Sequence, residues 1–451
     1  MKENKFDKRT DAAPKSSLRL FDAIVLILGI VIGAGIFRTP QVVAINSPNE
    51  YWFLGVWVVG GLLSLIGALC YAELSAAFPS TGGDYHFLKM AFGKRFSFLF
   101  AWARITVIQT GSIALLAYIA GDYLTRLFHS GTFSSAHYAA VVVLLFTFIN
   151  VLGIRFGTGT QRLLTVLLLT GILIIIGAGL FVEPDFDLAR AEMPATDASA
   201  ATTSLSQALI FVLLTFGGWN EAAYVSSELK TGSRKMATVM IVSILLITLI
   251  YLLINLSFLN VLGLQGIGAS DAVGVDMMQQ ALGEKGAVLI GILITLSALT
   301  SLNTTIFTGS RSNYALGKDF APLSFLGKWN AEKSAPVNAL LLQGAIAILL
   351  IGFGATRRNG FEAMVNFTAP VFWFFFLCTG LSVMVLRFKK QDIPRPFKVP
   401  FYPVTPILFT GSCLYMLYAS LTVTGNGALL GVALLLAGWI FSFVAGKFKR
   451  K

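Results

Sequence analysis

The stretch "VIGAGIF", residues Val31 to Phe37, places two glycines around one alanine inside an apolar run that extends from Leu20 to Ile45. Each glycine weakens an α-helix by roughly 1 kcal/mol relative to alanine. Backbone that leaves the helix at membrane depth is tolerated only where it is buried in protein or lines a cavity. The stretch therefore predicts a membrane helix that is broken at Gly33, Ala34 and Gly35 and faces other parts of the protein.

The rest of the chain is equally apolar. Of its 451 residues, 56% are hydrophobic and 12% are charged, and many apolar stretches approach the ~20 residues that cross a bilayer. This composition predicts a multi-pass membrane protein. The first residues are polar and lack the apolar core of a signal peptide, so we expect the N-terminus to be retained in the cytoplasm. Cys70, Cys378 and Cys413 lie in separate apolar runs, which predicts packing roles and neither a disulfide nor a metal site.

Hydropathy predicts twelve spans. They are Leu20–Ile45, Trp52–Phe78, Phe96–Phe128, Ala136–Leu152, Leu163–Val182, Ser204–Glu228, Met236–Val261, Ala287–Ser310, Asn338–Phe353, Met364–Leu386, Val404–Leu421 and Ala428–Ala445.

The basic residues predict the orientation of these spans. Most of the 34 Lys and Arg residues fall in alternate connections and in the two tails, 1–19 and 446–451. Because cytoplasmic loops of membrane proteins carry an excess of Lys and Arg, both termini are expected in the cytoplasm. This placement also accounts for the net charge of +12 without a nucleic-acid partner.

The spans form two stretches of five, 20–182 and 204–386, followed by a final pair in 404–445. An odd number of spans forces the second stretch to start from the opposite side, which predicts an inverted repeat. The first span of the second stretch is also interrupted by glycines, in "LLTFGGWNEAAY", Leu213 to Tyr224. Broken helices at corresponding places of inverted halves point to a transport site near the middle of the membrane.

The two breaks offer complementary chemistry. A helix that resumes after Gly35 presents free amide groups and a positive dipole end, which suit a carboxylate. A break at Gly217 and Gly218 frees carbonyls of residues such as Leu214 and Phe216, which accept hydrogen bonds from an ammonium group. An α-amino acid carries both groups.

Helix packing is the alternative interpretation of the glycines. Gly29 and Gly33 form a GxxxG pair, and small residues at this spacing usually mark close contact between membrane helices. Either glycine motif alone would indicate packing. Their matching positions in the two halves favour a transport site.

Several motifs resemble those of the amino acid–polyamine–organocation superfamily. "VIGAGIF" is similar to its GSGIF motif in span 1, and "FGGWNEAAY" to its motif in span 6. Further matches are "YAELSAAFPSTGGDYHFLKMAFG" from Tyr71, "SLNTTIFTGSRSNYALGKDFAP" from Ser301 and "RPFKVPFYP" from Arg395. They cover nearly the whole chain in order, and together they resemble bacterial relatives of the L-type amino acid transporters.

The resemblance implies an all-α fold with twelve transmembrane helices, a LeuT-like 5+5 inverted repeat, and broken helices 1 and 6. It implies that the substrate carboxylate meets the backbone of Gly33, Ala34 and Gly35. The ammonium group would meet carbonyls near Val31, Leu214 and Gly217. The remaining residues assigned to the pocket, its gate and the span 6 break are Phe216, Gly218, Trp219 and Asn220.

Three positions depart from the family pattern. Ala34 replaces a serine, which keeps the amide and removes a hydroxyl. Leu214 stands where L-type relatives have a gating phenylalanine. Leu168 stands where many relatives have a buried lysine, so no proton is expected to bind there.

Two further groups of polar residues lie in the predicted spans. Thr300, Ser301, Thr304 and Thr305 form a hydroxyl-rich stretch of span 8, where this fold can hold a sodium ion or its mimic, although such hydroxyls more often bond to their own helix. Charged residues are costly inside a membrane, so Arg38, Glu73, Arg104 and Glu221 are functional groups, members of structural ion pairs or residues at the membrane interface.

These features predict a secondary transporter in the plasma membrane that works by exchange or facilitated transport of neutral amino acids. The alternatives are a sodium- or proton-coupled symporter, a polyamine or cationic amino acid permease, and a sensor or channel on the same scaffold. The chain carries no HExxH, P-loop or nucleophile-elbow motif, so neither an enzyme nor a cofactor is predicted. The expected partners are the amino acid and the lipid bilayer, and no oligomeric state is predicted.

Overall fold

The computed structural model describes residues 20–33, 35–80, 82–128, 134–181, 198–229, 233–270, 272–333, 335–356, 360–423 and 425–445. Within these ranges the chain is helical apart from turns, short connections and one isolated bridge between Asn330 and Ala335. The predicted all-α class is therefore confirmed for the described part of the chain.

Fifteen α-helices follow one another within these described ranges. The first eight are α1 (Leu20–Val31), α2 (Gly35–Ile45), α3 (Glu50–Ala77), α4 (Gly83–Phe92), α5 (Lys94–Ala103), α6 (Gln109–Phe128), α7 (Ser135–Leu152) and α8 (Ile154–Phe181). The remaining seven are α9 (Ala198–Thr215), α10 (Met236–Ala269), α11 (Val273–Asp319), α12 (Val337–Ala355), α13 (Gly360–Lys389), α14 (Val404–Val423) and α15 (Gly425–Ala445). Other helical geometries occupy four segments: a π-helix at Arg104–Ile108 and 3₁₀ helices at Trp219–Glu228, Ser233–Lys235 and Ala321–Leu323.

Among the described residues, nine helices are long and apolar enough to cross a membrane. The pair α1 and α2 becomes a tenth span if its two bent segments are taken together. This result confirms a multi-pass membrane protein. The predicted sixth and twelfth spans, α9 with its 3₁₀ continuation and α15, are not among these ten.

Two helices extend well beyond the predicted boundaries. α10 continues to Ala269 and turns at Gly263, whose φ is 64°, and α11 begins at Val273 and turns at Gly283, whose φ is 70°. Glycine adopts positive φ without the steric cost that a β-carbon imposes. Each long helix is therefore two helical segments that meet at a glycine.

Glu73 connects α3 to α13 and to the connection before α14. Its carboxylate accepts hydrogen bonds from Arg387 Nε at 2.8 Å and Nη2 at 2.5 Å, and from the Val399 amide at 2.7 Å. Arg395 Nε lies 3.5 Å from the same carboxylate. Among the interpretations of Glu73, these contacts are those of a structural ion pair.

The short helix α4 lies across the ends of two long helices. Lys89 Nζ is 2.7 Å from the Asp319 carboxylate at the end of α11, and Tyr85 also donates a hydrogen bond to that carboxylate. Lys389 Nζ, at the end of α13, donates to the Ala91 carbonyl at 3.0 Å. These contacts hold α4 against the bundle and so position Asp84 near its N-terminus.

The distribution of buried and exposed side chains is the one expected for a protein surrounded by lipid. Cys70, Cys378 and Cys413 are buried and unpaired with one another, which confirms that they pack in the interior. Large apolar side chains are exposed on the outer helices, for example Leu144 at 61% and Leu173 at 70%. In a lipid environment such exposure stabilises the inserted protein.

Candidate functional site

The two helix breaks lie against each other. α1 ends at Val31 and α2 begins at Gly35, with a bend of 50° between them. α9 ends at Thr215, and after Gly218, whose φ is +111°, the chain continues as a 3₁₀ helix. A β-carbon placed on Gly218 would lie 2.9 Å from Cγ2 of Ile30. Glycine is therefore required there both by its backbone conformation and by the closeness of α1.

A second contact joins the helix that follows the first break to the helix that precedes the second. Thr39 Oγ1 on α2 and Thr215 Oγ1 on α9 are 2.7 Å apart and share a hydrogen bond. A β-carbon on Gly35 would lie 3.3 Å from the same Thr215 oxygen. The start of α2 and the end of α9 are therefore held in direct contact.

Each break exposes backbone groups at helix ends. The amides in the first turn of α2 have no carbonyl partner within their helix. The Val31 carbonyl accepts from the Gly33 amide at 2.8 Å, and the Leu214 carbonyl accepts from the Gly217 amide at 3.0 Å. Because a carbonyl oxygen has two lone pairs, the Leu214 oxygen can accept a further hydrogen bond. The Val31 oxygen also accepts a hydrogen bond from the Tyr251 hydroxyl at 2.9 Å.

A cavity of about 230 Å³ lies at these breaks. This volume is below the ~300–1,000 Å³ typical of sites for drug-sized ligands and suits a smaller molecule. Ten residues predicted from the sequence line its wall: Val31, Gly33, Gly35, Leu214, Gly217, Gly218, Asn220, Ser301, Thr304 and Thr305. The structure thus brings together parts of the predicted spans 1, 6 and 8.

Four other predicted residues are absent from the wall of this cavity: Phe216, Trp219, Thr300 and Leu168. Phe216 is fully buried behind it. Trp219 packs edge-on against Tyr71, with ring centroids 5.1 Å apart, and lines a neighbouring cavity of about 20 Å³. Leu168 on α8 and Thr300 on α11 are buried in the helix bundle. The prediction for Ala34 lies outside the described residues.

Other wall residues were not assigned to the pocket from the sequence. Asp84 lies in the motif that begins at Tyr71, and Thr379, Phe372 and Phe376 come from α13. The aromatic run "VFWFFF" in α13 is the sequence feature that could have indicated a contribution of this helix to the pocket. An aromatic run in a membrane helix does not by itself show whether its side chains face lipid or a cavity.

Arg104 and Glu221 form an ion pair on the cavity wall. Arg104 Nη2 donates to both carboxylate oxygens of Glu221, at 2.8 and 3.0 Å, and Nη1 donates to the Tyr224 hydroxyl at 2.6 Å. The side chains of Arg104 and Glu221 are 4% and 14% exposed. The pair joins the π-helix that precedes α6 to the segment after the span 6 break. Each charge is thus compensated in a position where an isolated charge would be costly.

Asp84 extends this polar cluster. Its carboxylate accepts hydrogen bonds from the Tyr224 hydroxyl at 3.3 Å and from Thr379 Oγ1 at 3.3 Å. Burial raises the pKa of the Asp84 carboxyl and shifts it toward the neutral form. Because Arg104 and Glu221 neutralise each other, the cluster presents little net charge to the cavity.

The hydroxyl groups of α11 divide into two kinds. Thr300, Thr304 and Thr305 donate to carbonyls of their own helix at 2.7, 3.1 and 2.7 Å. Ser301 Oγ is buried and has no hydrogen-bond partner among the described residues. It lies 2.9 Å from where a β-carbon of Gly33 would be. Ser301 is therefore the hydroxyl of this group that faces the span 1 break.

Gln109 and Arg38 differ in their relation to the cavity. Gln109 lines the wall, and its Nε2 donates to the Thr305 carbonyl at 2.6 Å. Arg38 lies on α2 but does not line the wall.

Comparison with known proteins supports a single family along the chain. A model of the amino acid permease family matches residues 18–444. The rat b(0,+)-type amino acid transporter 1 is 30% identical over 439 residues, which cover 95% of this chain and 88% of the rat protein. The mouse large neutral amino acids transporter small subunit 2 is 30% identical over 436 residues, which cover 94% of this chain and 80% of the mouse protein. The chain therefore belongs to the amino acid permease family.

Proposed function

We propose that the protein is a secondary transporter that moves neutral amino acids across the plasma membrane by alternating access, as an exchanger or facilitator. One observation carries this proposal: a single cavity is walled by both helix breaks. Membership of the permease family and the name of the rat relative support amino acid transport, and the name of the mouse relative supports neutral amino acids as the substrate class.

In the proposed complex, the substrate spans the two breaks. Its carboxylate meets the backbone of Gly33, Ala34 and Gly35, next to the positive end of the α2 dipole. Its ammonium group donates to carbonyls near Val31, Leu214 and Gly217 at the ends of α1 and α9. Trp219 acts from behind the cavity wall as part of a gate.

The charges of the cavity favour a neutral side chain. Both oxygens of Glu221 are already bound by Arg104, and the Asp84 carboxylate already accepts from Tyr224 and Thr379. A cationic side chain would therefore have to compete with these partners for either carboxylate. The apolar wall, which includes Phe372 and Phe376, instead favours an uncharged substituent.

The proposed architecture is the LeuT-like 5+5 inverted repeat with twelve spans. The two halves are residues 20–182 and 204–386, and the last two spans lie in 404–445. Segments 1–19 and 446–451 are cytoplasmic tails. The positions of the two breaks and the basic residues of alternate connections support this arrangement.

Sodium-coupled symport is a second candidate because of Ser301. Its buried oxygen has no partner among the described residues and faces the span 1 break. A hydroxyl in this environment can coordinate sodium together with backbone carbonyls. Sodium-dependent uptake would favour this candidate over exchange.

The proposal is tested with the purified full-length protein in liposomes, using radiolabelled leucine as the probe. Unlabelled neutral amino acids inside the vesicles should accelerate entry of the label. Methyl esters and N-acetyl derivatives should compete about ten- to a hundredfold less well, because each leaves helix-end groups without a charged partner, at a cost of about 1–3 kcal/mol. Equal competition by the esters would contradict carboxylate recognition.

Other outcomes of this assay separate the alternatives. Strongest competition by polyamines would favour a cationic permease. Ion conductance far above the rate of carrier turnover would favour a channel. Binding of amino acids without any counterflow would favour a sensor.

A further inference from the structure

The cavity wall carries two buried hydrogen-bond donors that have no acceptor. The Tyr71 hydroxyl and Arg104 Nε each lack a hydrogen-bond partner among the described residues. Both residues line the cavity, where Tyr71 is fully buried and Arg104 is 3% exposed. A buried donor without an acceptor is unfavourable. A ligand that brings an acceptor to this part of the cavity would therefore be stabilised.

Asp84 adds an acceptor beside these two donors. Burial raises the pKa of its carboxyl, whereas the Tyr71 hydroxyl and the Arg104 charge act in the opposite direction, so both groups lie near Asp84. Its two oxygens accept long hydrogen bonds, each of 3.3 Å, from Tyr224 and Thr379. In either protonation state, a carboxyl group can accept more than these two bonds.

The surrounding residues hold these groups in place. The ring centroid of Tyr71 lies 5.1 Å from that of Trp219 and 5.8 Å from that of Phe376. Gly83, which precedes Asp84, has a φ of +47°, and a β-carbon on it would lie 2.6 Å from Cζ of Tyr224. The start of α4 therefore packs directly on the Tyr224 ring. The donors and the carboxyl are positioned without help from a ligand.

This polar group of residues lies close to the span 6 break. Glu221, which is paired with Arg104, follows Gly218 by three residues in the 3₁₀ helix. Because such a helix rises about 2.0 Å per residue, Glu221 lies about 6 Å beyond Gly218 along its axis. A side chain with two methylene groups before its polar end has a comparable length. The side chain of an amino acid bound at the breaks can therefore reach this part of the wall.

The unused groups distinguish between classes of side chain. An ammonium group would meet the Arg104 charge and two donors. A carboxylate could accept from the donors but would lie beside the carboxyls of Asp84 and Glu221. An apolar side chain would leave both donors unpaired. A carboxamide accepts through its oxygen, donates through its nitrogen and carries no net charge, so it fits all three groups.

We propose that Tyr71, Arg104 and Asp84 form a subsite for a side-chain carboxamide, and that the favoured neutral substrates are glutamine-like. The two lone pairs of the amide oxygen face the Tyr71 hydroxyl and Arg104 Nε, and the amide nitrogen donates to the Asp84 carboxyl. Arg104 stays paired with Glu221 through Nη2. This inference rests on the proposed function and adds selectivity for the side chain of the substrate.

The first test compares inhibitors of leucine counterflow by the full-length protein in liposomes. Glutamine should inhibit at about tenfold lower concentration than norleucine, which has nearly the same length and no polar group. The γ-methyl ester of glutamate keeps the carbonyl and lacks the amide hydrogens, so its inhibition should be intermediate. Equal inhibition by glutamine and norleucine would overturn the proposal, as would strongest inhibition by glutamate or lysine. An ester as effective as glutamine would overturn the assignment of Asp84.

The second test compares Tyr71→Phe with a matched control, Tyr118→Phe. Tyr118 is also buried, but its hydroxyl donates to the Ile351 carbonyl at 2.5 Å and the residue does not line the cavity. Tyr71→Phe should raise the inhibition constant of glutamine about three- to tenfold, the range expected for one hydrogen bond. It should lower that of norleucine, because a hydroxyl that norleucine leaves unpaired is gone. Tyr118→Phe should leave the ratio of the two constants unchanged.

The two tests separate this inference from the proposed function. If Tyr71→Phe leaves the ratio of the two inhibition constants unchanged, Tyr71 is a packing residue and the proposal is overturned. If this variant is not recovered folded, the comparison of glutamine, norleucine and the ester on the unsubstituted protein decides. Absence of leucine counterflow in the unsubstituted protein would instead refute the proposed function.

Discussion

At the residue scale, the stability of the protein depends on the pairing of charges in the membrane interior. Arg104 and Glu221 both lie in predicted spans, where an isolated charge is costly. Their two hydrogen bonds and the third from Arg104 to Tyr224 compensate for the loss of water. Such a pair adds little net stability, but removal of one partner leaves the other charge buried and uncompensated.

Glu221→Gln should therefore destabilise the protein, with a loss of about 3 kcal/mol in the free energy of unfolding. Arg104→Gln should have a similar effect, and the double variant should recover part of the loss because no unpaired charge remains. Thermal unfolding in detergent, analysed as a double-mutant cycle, measures this coupling. Strictly additive effects would contradict it.

A surface pair provides the control for this cycle. Lys89 and Asp319 are 2.7 Å apart, close to the 2.8 Å between Arg104 and Glu221, but their side chains are 30% and 36% exposed. Because exposed pairs contribute about 0–1 kcal/mol, Lys89→Gln should change the unfolding temperature little.

At the element scale, the broken helices depend on small residues at their contact. α1 approaches Gly218 so closely that a side chain there would meet Ile30, and α9 approaches Gly35. The same glycines leave amides and carbonyls without helical partners. Close packing and the freed backbone groups therefore have a common cause, and the packing interpretation of the glycine motifs is compatible with the transport interpretation.

Gly35→Val and Gly218→Val should each abolish counterflow while the protein remains inserted in the membrane. Valine at 218 is strained at a φ of +111° and meets Ile30, and valine at 35 fills the space beside Thr215. The assay is leucine counterflow in liposomes with matched protein content. Gly352→Val on α12 is the control, because a β-carbon there has nothing within 4 Å. Transport at the unsubstituted rate by either break variant would argue against the site.

At the scale of the whole molecule, the cavity is formed where elements distant in sequence meet. Spans 1 and 6 supply helix ends, α11 supplies hydroxyls, and α13 supplies aromatic rings. Leu168 on α8 is buried away from the cavity wall. A leucine at this position can neither carry a charge nor bind a proton. Transport therefore cannot be driven by protonation of this residue.

Counterflow of leucine should accordingly proceed at equal pH on both sides and without sodium. A proton gradient alone should drive little accumulation. A buried lysine at position 168 would have a protonation state that is sensitive to its surroundings, whereas Leu168 binds no proton. Uptake is measured in liposomes with imposed pH or sodium gradients. Strict dependence on the pH gradient would refute this mechanism. Strict dependence on sodium would favour sodium-coupled symport, with Ser301 at the sodium site.

Much of the fold was predictable because its causes are local in sequence. Apolar runs of sufficient length indicate spans in any context, and the glycines of "VIGAGIF" and "FGGWNEAAY" weaken a helix wherever they occur. The extensions of α10 and α11 past Gly263 and Gly283 were missed. Hydropathy reports where lipid surrounds a helix and carries little information on where helical hydrogen bonding ends.

The sequence by itself determined the helical class, the membrane location and the positions of both breaks, because each follows from the properties of consecutive residues. Only the tertiary structure decided that Arg104 pairs with Glu221, that Asp84 reaches the cavity wall, and that Tyr251 joins the ends of α1 and α9. These partners are far apart along the chain. Their contacts depend on which faces of packed helices meet, and in a membrane that choice is made by side-chain fit and polar contacts, which hydropathy does not encode.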